Sequence, residues 1–130
     1  MDVVIDASAL LAVLLDEPER EMVVESTKGA SLVAPASLVY EVGNALSSLM
    51  RRQSLSIAES VAVYHAFVRI SIRLIEPDMQ AAILVSGEES IYAYDAYFIV
   101  CAERMGIPLL TLDRKLANIA RKRGVRLLEA

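Results

Sequence analysis

The chain opens with DVVIDAS, residues 2–8, in which three β-branched apolar residues run directly into an acid. A continuous apolar run such as Val3 to Ile5 is typical of a central parallel strand that is buried on both faces. The apolar residues from Ala9 to Leu15 then predict a helix. The chain therefore begins with a β-α unit, and Asp6 follows the end of its strand.

The rest of the chain repeats this alternation of apolar strands and helices. Four further strands are predicted, at residues 31–34, 70–75, 109–112 and 125–128. Six further helices are predicted, at residues 17–28, 37–52, 57–68, 79–85, 93–105 and 114–123. Ser56 and Glu59 indicate a capping box, and residues 87–90 indicate a turn. This order predicts an α/β fold, a three-layer α/β/α sandwich around a mostly parallel sheet.

The composition of the 130-residue chain fits a single domain over residues 1–130, since 55% of the residues are hydrophobic. The net charge of −4 argues against binding of nucleic acid through a global positive field, although a local basic patch is compatible with it. Cys101 is the only cysteine, which argues against a disulfide framework or a Cys-rich zinc site. Asp6 and Ser8 interrupt the first apolar run before it could span a bilayer, so we expect a cytoplasmic protein without a membrane anchor.

Asp6 and Asp113 both follow predicted strands. In open α/β sheets, ligands gather beyond the carboxyl ends of the strands, so both side chains are expected to point into one crevice. Each residue also has an ordinary interpretation as a helix N-cap, which is a common role of aspartate. Their occurrence at equivalent strand ends favours the shared crevice.

Asp95 and Glu41 are acids within predicted helices. Asp95 shares one helical stripe with the apolar residues Phe98, Ile99 and Ala102. Glu41 borders the apolar stripe of its own helix. The alternative interpretations are that Asp95 caps its helix and that Glu41 is a solvated acid at the edge of the stripe.

A buried carboxylate must take up a proton, pair with a cation or coordinate a metal ion, because desolvating its charge alone is costly. The sequence offers few cations beside these four acids, so a divalent metal ion is the natural partner. Oxygen ligands suit Mg²⁺ or Mn²⁺, which leave coordination positions for phosphate oxygens. Such an ion can activate water against a phosphodiester, so no Ser or His nucleophile is required.

Four short motifs together resemble the PIN-domain family, and within it the small VapC-type toxin ribonucleases. They are Asp6-Ala7-Ser8, Tyr40-Glu41-Val42-Gly43-Asn44-Ala45-Leu46, Tyr94-Asp95-Ala96 and Thr111-Leu112-Asp113. The resemblance covers the whole chain in order and length. It implies a PIN-like fold and a metal-dependent endoribonuclease that hydrolyses RNA. In such an enzyme, Asp6, Glu41, Asp95 and Asp113 would hold Mg²⁺ or Mn²⁺.

The same resemblance implies further residues and partners. Ser8 and Thr111 would orient ligands or waters through their hydroxyls, and Asn44 would lie near the metal or the RNA. Local backbone hydrogen bonds would also explain the two hydroxyls, and Asn44 could be a plain surface residue. The family analogy further implies a homodimer in which helices of the first half pack together. It also implies a cognate antitoxin whose tail covers the acidic crevice.

Three alternatives stay open at this point. One is a PIN nuclease of RNA maturation or decay that has no antitoxin. Another is a non-catalytic RNA-binding or protein-binding module on the same fold, which the presence of all four acids disfavours. The third is a receiver-like phospho-acceptor domain, which also uses strand-end Asp residues and Mg²⁺. That class does not explain Glu41 and Asp95 on helices.

Three basic clusters could hold RNA phosphates: Arg114-Lys115, Arg121-Lys122-Arg123 with Arg126, and Arg51-Arg52. Cations in the last turn of a helix also complement the helix dipole, and we favour this interpretation for the second cluster. Arg51-Arg52 has the same helix-end explanation, but its position after the Glu41 helix also allows contact with RNA.

Aromatic residues gather around Asp95. Tyr92, Tyr94 and Tyr97 could stack on bases, although aromatic residues at a helix start more often pack in a core or interface. His65 is the only histidine, and we expect it to be a packing or surface residue.

Overall fold

The computed structural model describes residues 1–128, so residues 129 and 130 of the single domain predicted over 1–130 lie outside the described range. The strands within that range are β1 (Asp2–Ile5), β2 (Ser31–Pro35), β3 (Ile72–Ile75) and β4 (Leu109–Leu110). The helices are α1 (Ala7–Leu14), α2 (Arg20–Ser26), α3 (Leu38–Arg51), α4 (Ile57–Arg69), α5 (Met79–Glu89), α6 (Ala93–Met105) and α7 (Arg114–Lys122). The predicted order of the elements is confirmed from β1 to α7.

The strands form one sheet in the order β3-β2-β1-β4, and every strand pair in it is parallel. β1 lies at the centre, where Val4 is opposite Val33 of β2 and Leu109 of β4. Val3 and Val4 are fully buried, because a central strand covered by helices on both sides has no face toward solvent. This explains why the opening run of the chain is apolar without alternation.

Helices cover both faces of the sheet. The connections from β1 to β2 and from β2 to β3 step in one direction, and the connection from β3 to β4 steps back. Right-handed crossovers therefore place α1 to α4 on one face and α5 and α6 on the other. The helix packing agrees, since α1 contacts α2, α3 and α4 while α5 contacts α6. The predicted α/β/α sandwich is confirmed.

The first turns of four helices lie at the carboxyl edge of the sheet. α1, α3 and α7 follow strands directly or after a short connection, and α6 runs antiparallel to the strand that it precedes. Each of these helices carries one predicted acid at its N-cap or in its first turn: Asp6, Glu41, Asp95 and Asp113. The positive end of a helix dipole favours negative charge there. The fold thus brings four acids toward one edge.

Two predictions around β4 are wrong. The strand ends at Leu110 rather than at residue 112, so Asp113 does not follow it directly. The Thr111 hydroxyl and the Leu112 N–H bond to Asp6 and Ser8 instead of extending the ladder. The strand expected at residues 125–128 is a single parallel bridge between Leu109 and Leu127.

The turn predicted at residues 87–90 is also wrong, because α5 continues through Gly87 to Glu89 and ends at Ser90, which has a left-handed conformation with φ 55°. A glycine inside a helix costs only about 1 kcal/mol. Ion pairs from Glu89 to Lys122 and Arg123 hold the last turn in place. The capping box of Ser56 and Glu59 is confirmed.

No helix within residues 1–128 is both long enough and apolar enough to cross a membrane.

Candidate active site

Asp6 is buried, with 4% of its surface exposed, and three hydrogen bonds hold its carboxylate. The Ser8 hydroxyl and the Ala9 N–H donate to Oδ1 at 2.7 and 3.0 Å, and the Thr111 hydroxyl donates to Oδ2 at 2.5 Å. The bond from Ala9 confirms the N-cap interpretation. It does not exclude a second role, because a carboxylate oxygen can accept more than one bond.

The Ser8 and Thr111 hydroxyls, which donate to Asp6, are themselves held by backbone N–H groups. Ser8 Oγ accepts a hydrogen bond from the Leu112 N–H at 2.9 Å, and Thr111 Oγ1 accepts one from the Asp113 N–H at 3.0 Å. The Asp6 N–H also donates to the Leu110 carbonyl at 3.2 Å, which joins the ends of β1 and β4. The orientation of the Asp6 carboxylate is therefore set by both ends of the chain. The metal-linked role of Ser8 and Thr111 stays a prediction.

Glu41, unlike Asp6, has a carboxylate oxygen without a hydrogen bond from any described residue. Its Oε2 atom is buried and has no hydrogen-bond partner among residues 1–128. Burial raises the pKa of Glu41 to about 8, and the nearby carboxylates of Asp95 and Asp6 contribute to that rise. A buried carboxylate oxygen without a partner is costly. Glu41 is thus an acid that needs either a proton or a cation.

Ser37 is a residue that the sequence did not point to. It precedes Glu41 by one helical turn, at the N-cap of α3, and its Oγ atom is also buried without a partner within residues 1–128. A spacing of four residues places two side chains on the same face of a helix. This spacing from Glu41 was the available signal, but a lone serine gives no sign that its hydroxyl is unsatisfied.

Repulsion links the four acids. Burial is the main cause of the raised pKa values of Asp6 and Asp95, and the charge of Asp113 raises both further. Hydrogen bonds from Thr111, Ala9 and Ser8 partly offset the rise at Asp6, and Lys115 partly offsets the rise at Asp95. Together with the effects of Asp95 and Asp6 on Glu41, each acid interacts with two others. The four carboxylates therefore share one electrostatic environment.

The acids are nevertheless spread out. Within residues 1–128, no group of three His, Cys, Asp or Glu side chains is placed closely enough to hold a metal ion as it stands. Mutual repulsion is a physical reason for such an open arrangement, since like charges disfavour one another at short range. The donor set itself fits a hard cation, because it consists of carboxylate oxygens and includes an unpartnered one.

A cleft of about 650 Å³ lies beside α3 and the start of α6. The lining residues with polar groups are Glu41, Asn44, Asp95, Tyr40, Tyr92 and Tyr94. Asp6 and Asp113 are not among its lining residues. Tyr92 is 85% exposed, so its ring is available to a ligand.

Tyr40 is a lining tyrosine that the sequence did not mark as a base-stacking candidate. Tyr40 is exposed beside Glu41, and only its place in the α3 motif could have indicated it. Tyr97, by contrast, packs edge-on against Tyr94 with ring centroids 5.8 Å apart. Flat exposed rings around acids suit the stacking of nucleobases.

Of the C-terminal basic residues, Lys122 and Arg123 have structural partners. Lys122 pairs with Glu89 at 2.8 Å, and Arg123 pairs with Glu89, Glu103 and Glu88 at 3.2, 3.4 and 3.5 Å. These ion pairs give the two cations a structural role. They join α7 to α5 and α6.

The chain matches a known protein family and two ribonucleases. The PIN domain family matches residues 3–122. Ribonuclease VapC12 of Mycobacterium tuberculosis is 30% identical over 118 residues, which cover 89% of this chain and 90% of that protein. Ribonuclease VapC3 of Pyrobaculum aerophilum is 30% identical over 123 residues, which cover 91% and 94%.

Solved structures agree on the fold. The crystal structure of PAE2754 from Pyrobaculum aerophilum matches with a TM-score of 0.67 and 23% identity, covering 92% of this chain and 87% of that one. A chain of VapBC2 from Rickettsia felis, solved with a DNA fragment of its promoter, matches with a TM-score of 0.67 and 13% identity, covering 98% and 97%. FitAcB from Neisseria gonorrhoeae matches with a TM-score of 0.64 and 15% identity, covering 98% and 96%.

Proposed function

Because the chain belongs to the PIN-domain family, we propose that it is an endoribonuclease that hydrolyses phosphodiester bonds of RNA in the cytoplasm. The relatives named as ribonucleases support RNA as the substrate. The observation that carries the proposal is the buried, unpartnered oxygen of Glu41, a residue that lines the same cleft as Asp95. A buried carboxylate oxygen needs a proton or a cation as its partner, and the cleft beside it has room for a substrate.

The proposed cofactor is Mg²⁺ or Mn²⁺, held by Asp6, Glu41, Asp95 and Asp113. An ion of this kind, when bound, supplies a Lewis acid for phosphodiester hydrolysis. Asp6 would be the rigid member of the set, because three hydrogen bonds already orient it. Glu41 would give up its proton on binding, because its pKa of about 8 leaves it mostly protonated at neutral pH.

The other residues of the cleft would position the RNA. Tyr40, Tyr92 and Tyr94 present exposed rings on which unpaired bases can stack. Asn44 is exposed within the same cleft and offers both a donor and an acceptor. These residues add binding and orientation without taking part in proton transfer.

Cleavage of a single-stranded RNA by the purified protein tests this proposal. We expect cleavage with Mn²⁺ or Mg²⁺, its loss with EDTA, and its loss in Asp95→Asn. Asp16→Asn is the matched control, because Asp16 is an exposed acid with a φ of 54° that Asn also tolerates. Full activity of Asp95→Asn would contradict the assigned site, and cleavage in EDTA would contradict the metal.

We further propose that the chain is the toxin of a toxin–antitoxin pair. The similarity to a chain of VapBC2 supports an antitoxin partner. A neighbouring gene for a small DNA-binding protein, whose product copurifies with this chain and stops RNA cleavage, is the expected finding. A nuclease that acts in RNA maturation would lack both the neighbour and the inhibition.

A homodimer belongs to the same proposal, and α4 offers a surface for it. Ile57, Val61, Tyr64 and Val68 are exposed at spacings of four, three and four residues, so they form one apolar stripe on the helix. Light scattering should report a dimer for the wild type and a monomer for Val61→Glu. A wild type that stays monomeric at all concentrations would remove the dimer from the proposal.

A further inference from the structure

A second groove adjoins the acid-containing cleft. It encloses about 450 Å³ and is lined by Asn44, Ser47, Ser48, Arg51 and Arg52, which all belong to α3 or to its C-cap. Asn44 also lines the cleft that contains Glu41 and Asp95. The cleft and the groove therefore meet at Asn44 on α3.

The pattern of α3 explains the polar lining of this groove. One side of the helix buries Leu38, Val42 and Leu46 at four-residue spacing. A second side carries polar residues from Glu41 onward. Asn44, Ser48 and Arg51 follow Glu41 at spacings of three, four and three residues, and Arg52 lies four residues after Ser48. Residues at such spacings lie along one helix face. We call the part of this face from Asn44 to Arg52 the α3 polar track.

The positive charges at the far end of the track have no ion-pair partner within residues 1–128. Arg51 and Arg52 are exposed, and neither forms an ion pair with any residue in 1–128. Lys122 and Arg123, by contrast, are bound by glutamates. The negative end of the helix dipole favours a cation at the C-terminus of a helix. That effect does not account for a polar groove that meets the acid-containing cleft at Asn44.

We propose that the α3 polar track binds a single strand of RNA, with Arg51 and Arg52 on its phosphates while another part of the strand lies in the acid-containing cleft. The inference rests on the proposed function and adds the path of the substrate. From Glu41 to Arg51 the helix rises about 15 Å, at about 1.5 Å per residue. A strand must therefore be several nucleotides long to reach both the acids and the arginines.

A single strand fits this surface better than a duplex. The exposed rings of Tyr40, Tyr92 and Tyr94 border the cleft, and rings bind the faces of unpaired bases. A duplex hides those faces in its own stack. The two arginines would add a contact to phosphates that does not depend on sequence.

Binding is tested separately from cleavage, by fluorescence anisotropy of labelled single-stranded RNA of two to ten nucleotides in EDTA. The Arg51→Ala/Arg52→Ala double variant should bind an eight-nucleotide RNA about tenfold or more weakly at 0.1 M salt. Its slope of log K against log salt should fall by about 1.4, since each phosphate contact on a single strand contributes about 0.7. Its affinity for a two-nucleotide RNA should not change.

Arg69→Ala is the matched control, because Arg69 is an exposed arginine in the last turn of α4 without an ion pair in residues 1–128. α3 and α4 pack together as consecutive helices, so the end of α4 lies away from the end of α3. Arg51→Lys/Arg52→Lys should keep most of the affinity. Ser48→Glu keeps both arginines but places a negative charge in the track, and it should also weaken binding.

Equal affinity and equal salt slope in Arg51→Ala/Arg52→Ala and Arg69→Ala would overturn the track. The proposed function fails in a different way, through the absence of cleavage with Mn²⁺ or Mg²⁺ while the arginine-dependent binding is still present. Where cleavage does occur, the double variant should raise KM for long RNA and leave kcat within about twofold, since it removes binding that is equal in ground and transition states. A matching loss of kcat would contradict a role in binding alone.

Discussion

Asp6 and Glu41 are both acids that the fold withdraws from water at the same edge of the sheet, but their surroundings differ. Three hydrogen bonds satisfy Asp6, and they partly offset the effect of burial on its pKa. Glu41 has a buried oxygen without a partner among residues 1–128, and its pKa is raised to about 8. The fold thus orients the Asp6 carboxylate by itself, whereas the Glu41 carboxylate still needs a proton or a bound cation. A metal site of the proposed kind would combine one fixed carboxylate with one that responds to its occupant.

The largest expected effect comes from removing the fixed acid. Asp6→Asn should lower RNA cleavage by at least about 100-fold, because it removes a charge from the proposed metal ligands and disturbs the donors aimed at the carboxylate. The rate of cleavage with saturating Mn²⁺ is the measurement. Asp2→Asn changes an acid at the other end of the same strand and should stay active. Activity of Asp6→Asn near the wild-type level would remove Asp6 from the site.

A smaller effect is expected from the hydroxyl that holds Asp6. Thr111→Val keeps the shape of the side chain but removes the donor to Asp6 Oδ2, and it should weaken Mn²⁺ affinity by roughly 10–100-fold. Thr111→Ser retains the hydroxyl and should restore most of the affinity. Calorimetric titration with Mn²⁺ measures both variants. If valine and serine behave alike, the hydroxyl does not orient the ligand.

The raised pKa of Glu41 predicts that the stability of the fold depends on pH. The pKa of Glu41 in the folded chain, about 8, is higher than the ordinary value of 4.5. Its contribution to stability is therefore fully present below about pH 4.5 and is lost as the pH rises through about 8. The raised pKa values of Asp6 and Asp95 act in the same direction. The metal-free protein should lose at most about 1 kcal/mol per pH unit from Glu41 between pH 5.5 and 8, which lowers Tm by several °C.

Glu41→Gln isolates this contribution. The amide carries no charge, so the metal-free variant should melt a few °C above the wild type at pH 8 and near it at pH 5.5. The scan should stop near pH 8.5, because the pKa of the buried Cys101 thiol is raised to about 11 and its ionisation also destabilises the fold at higher pH. Parallel melting curves for the wild type and Glu41→Gln across the window would show that Glu41 is not the responsible group.

Much of the fold could be predicted because patterns over a few neighbouring residues determine most of its strands and helices. The β-branched run before Asp6, the helical spacing around Asp95 and the capping box at Ser56 each act over a few residues. The predicted bounds of α6, residues 93–105, agree with the structure. The acids stood out for the same reason, since each interrupts or borders an apolar pattern.

The errors arose where distant residues decide the local structure. β4 is short because Thr111 and Leu112 turn toward Asp6 and Ser8, more than 100 residues away in the chain. α5 passes through Gly87 because Glu89 is held by cations of α7 and its C-cap. Contacts of this kind leave no periodic signal in the sequence.

The bond between Asp6 and Thr111 spans 105 residues of chain, and this separation bears on protein synthesis. A nascent polypeptide that ends before residue 109 has Asp6 but lacks β4, the Thr111 hydroxyl and α7, which complete its surroundings. The proposed nuclease therefore cannot form its site while the first hundred residues are being translated. The ribosome and its messenger RNA are exposed to this activity only after almost the whole chain has been made.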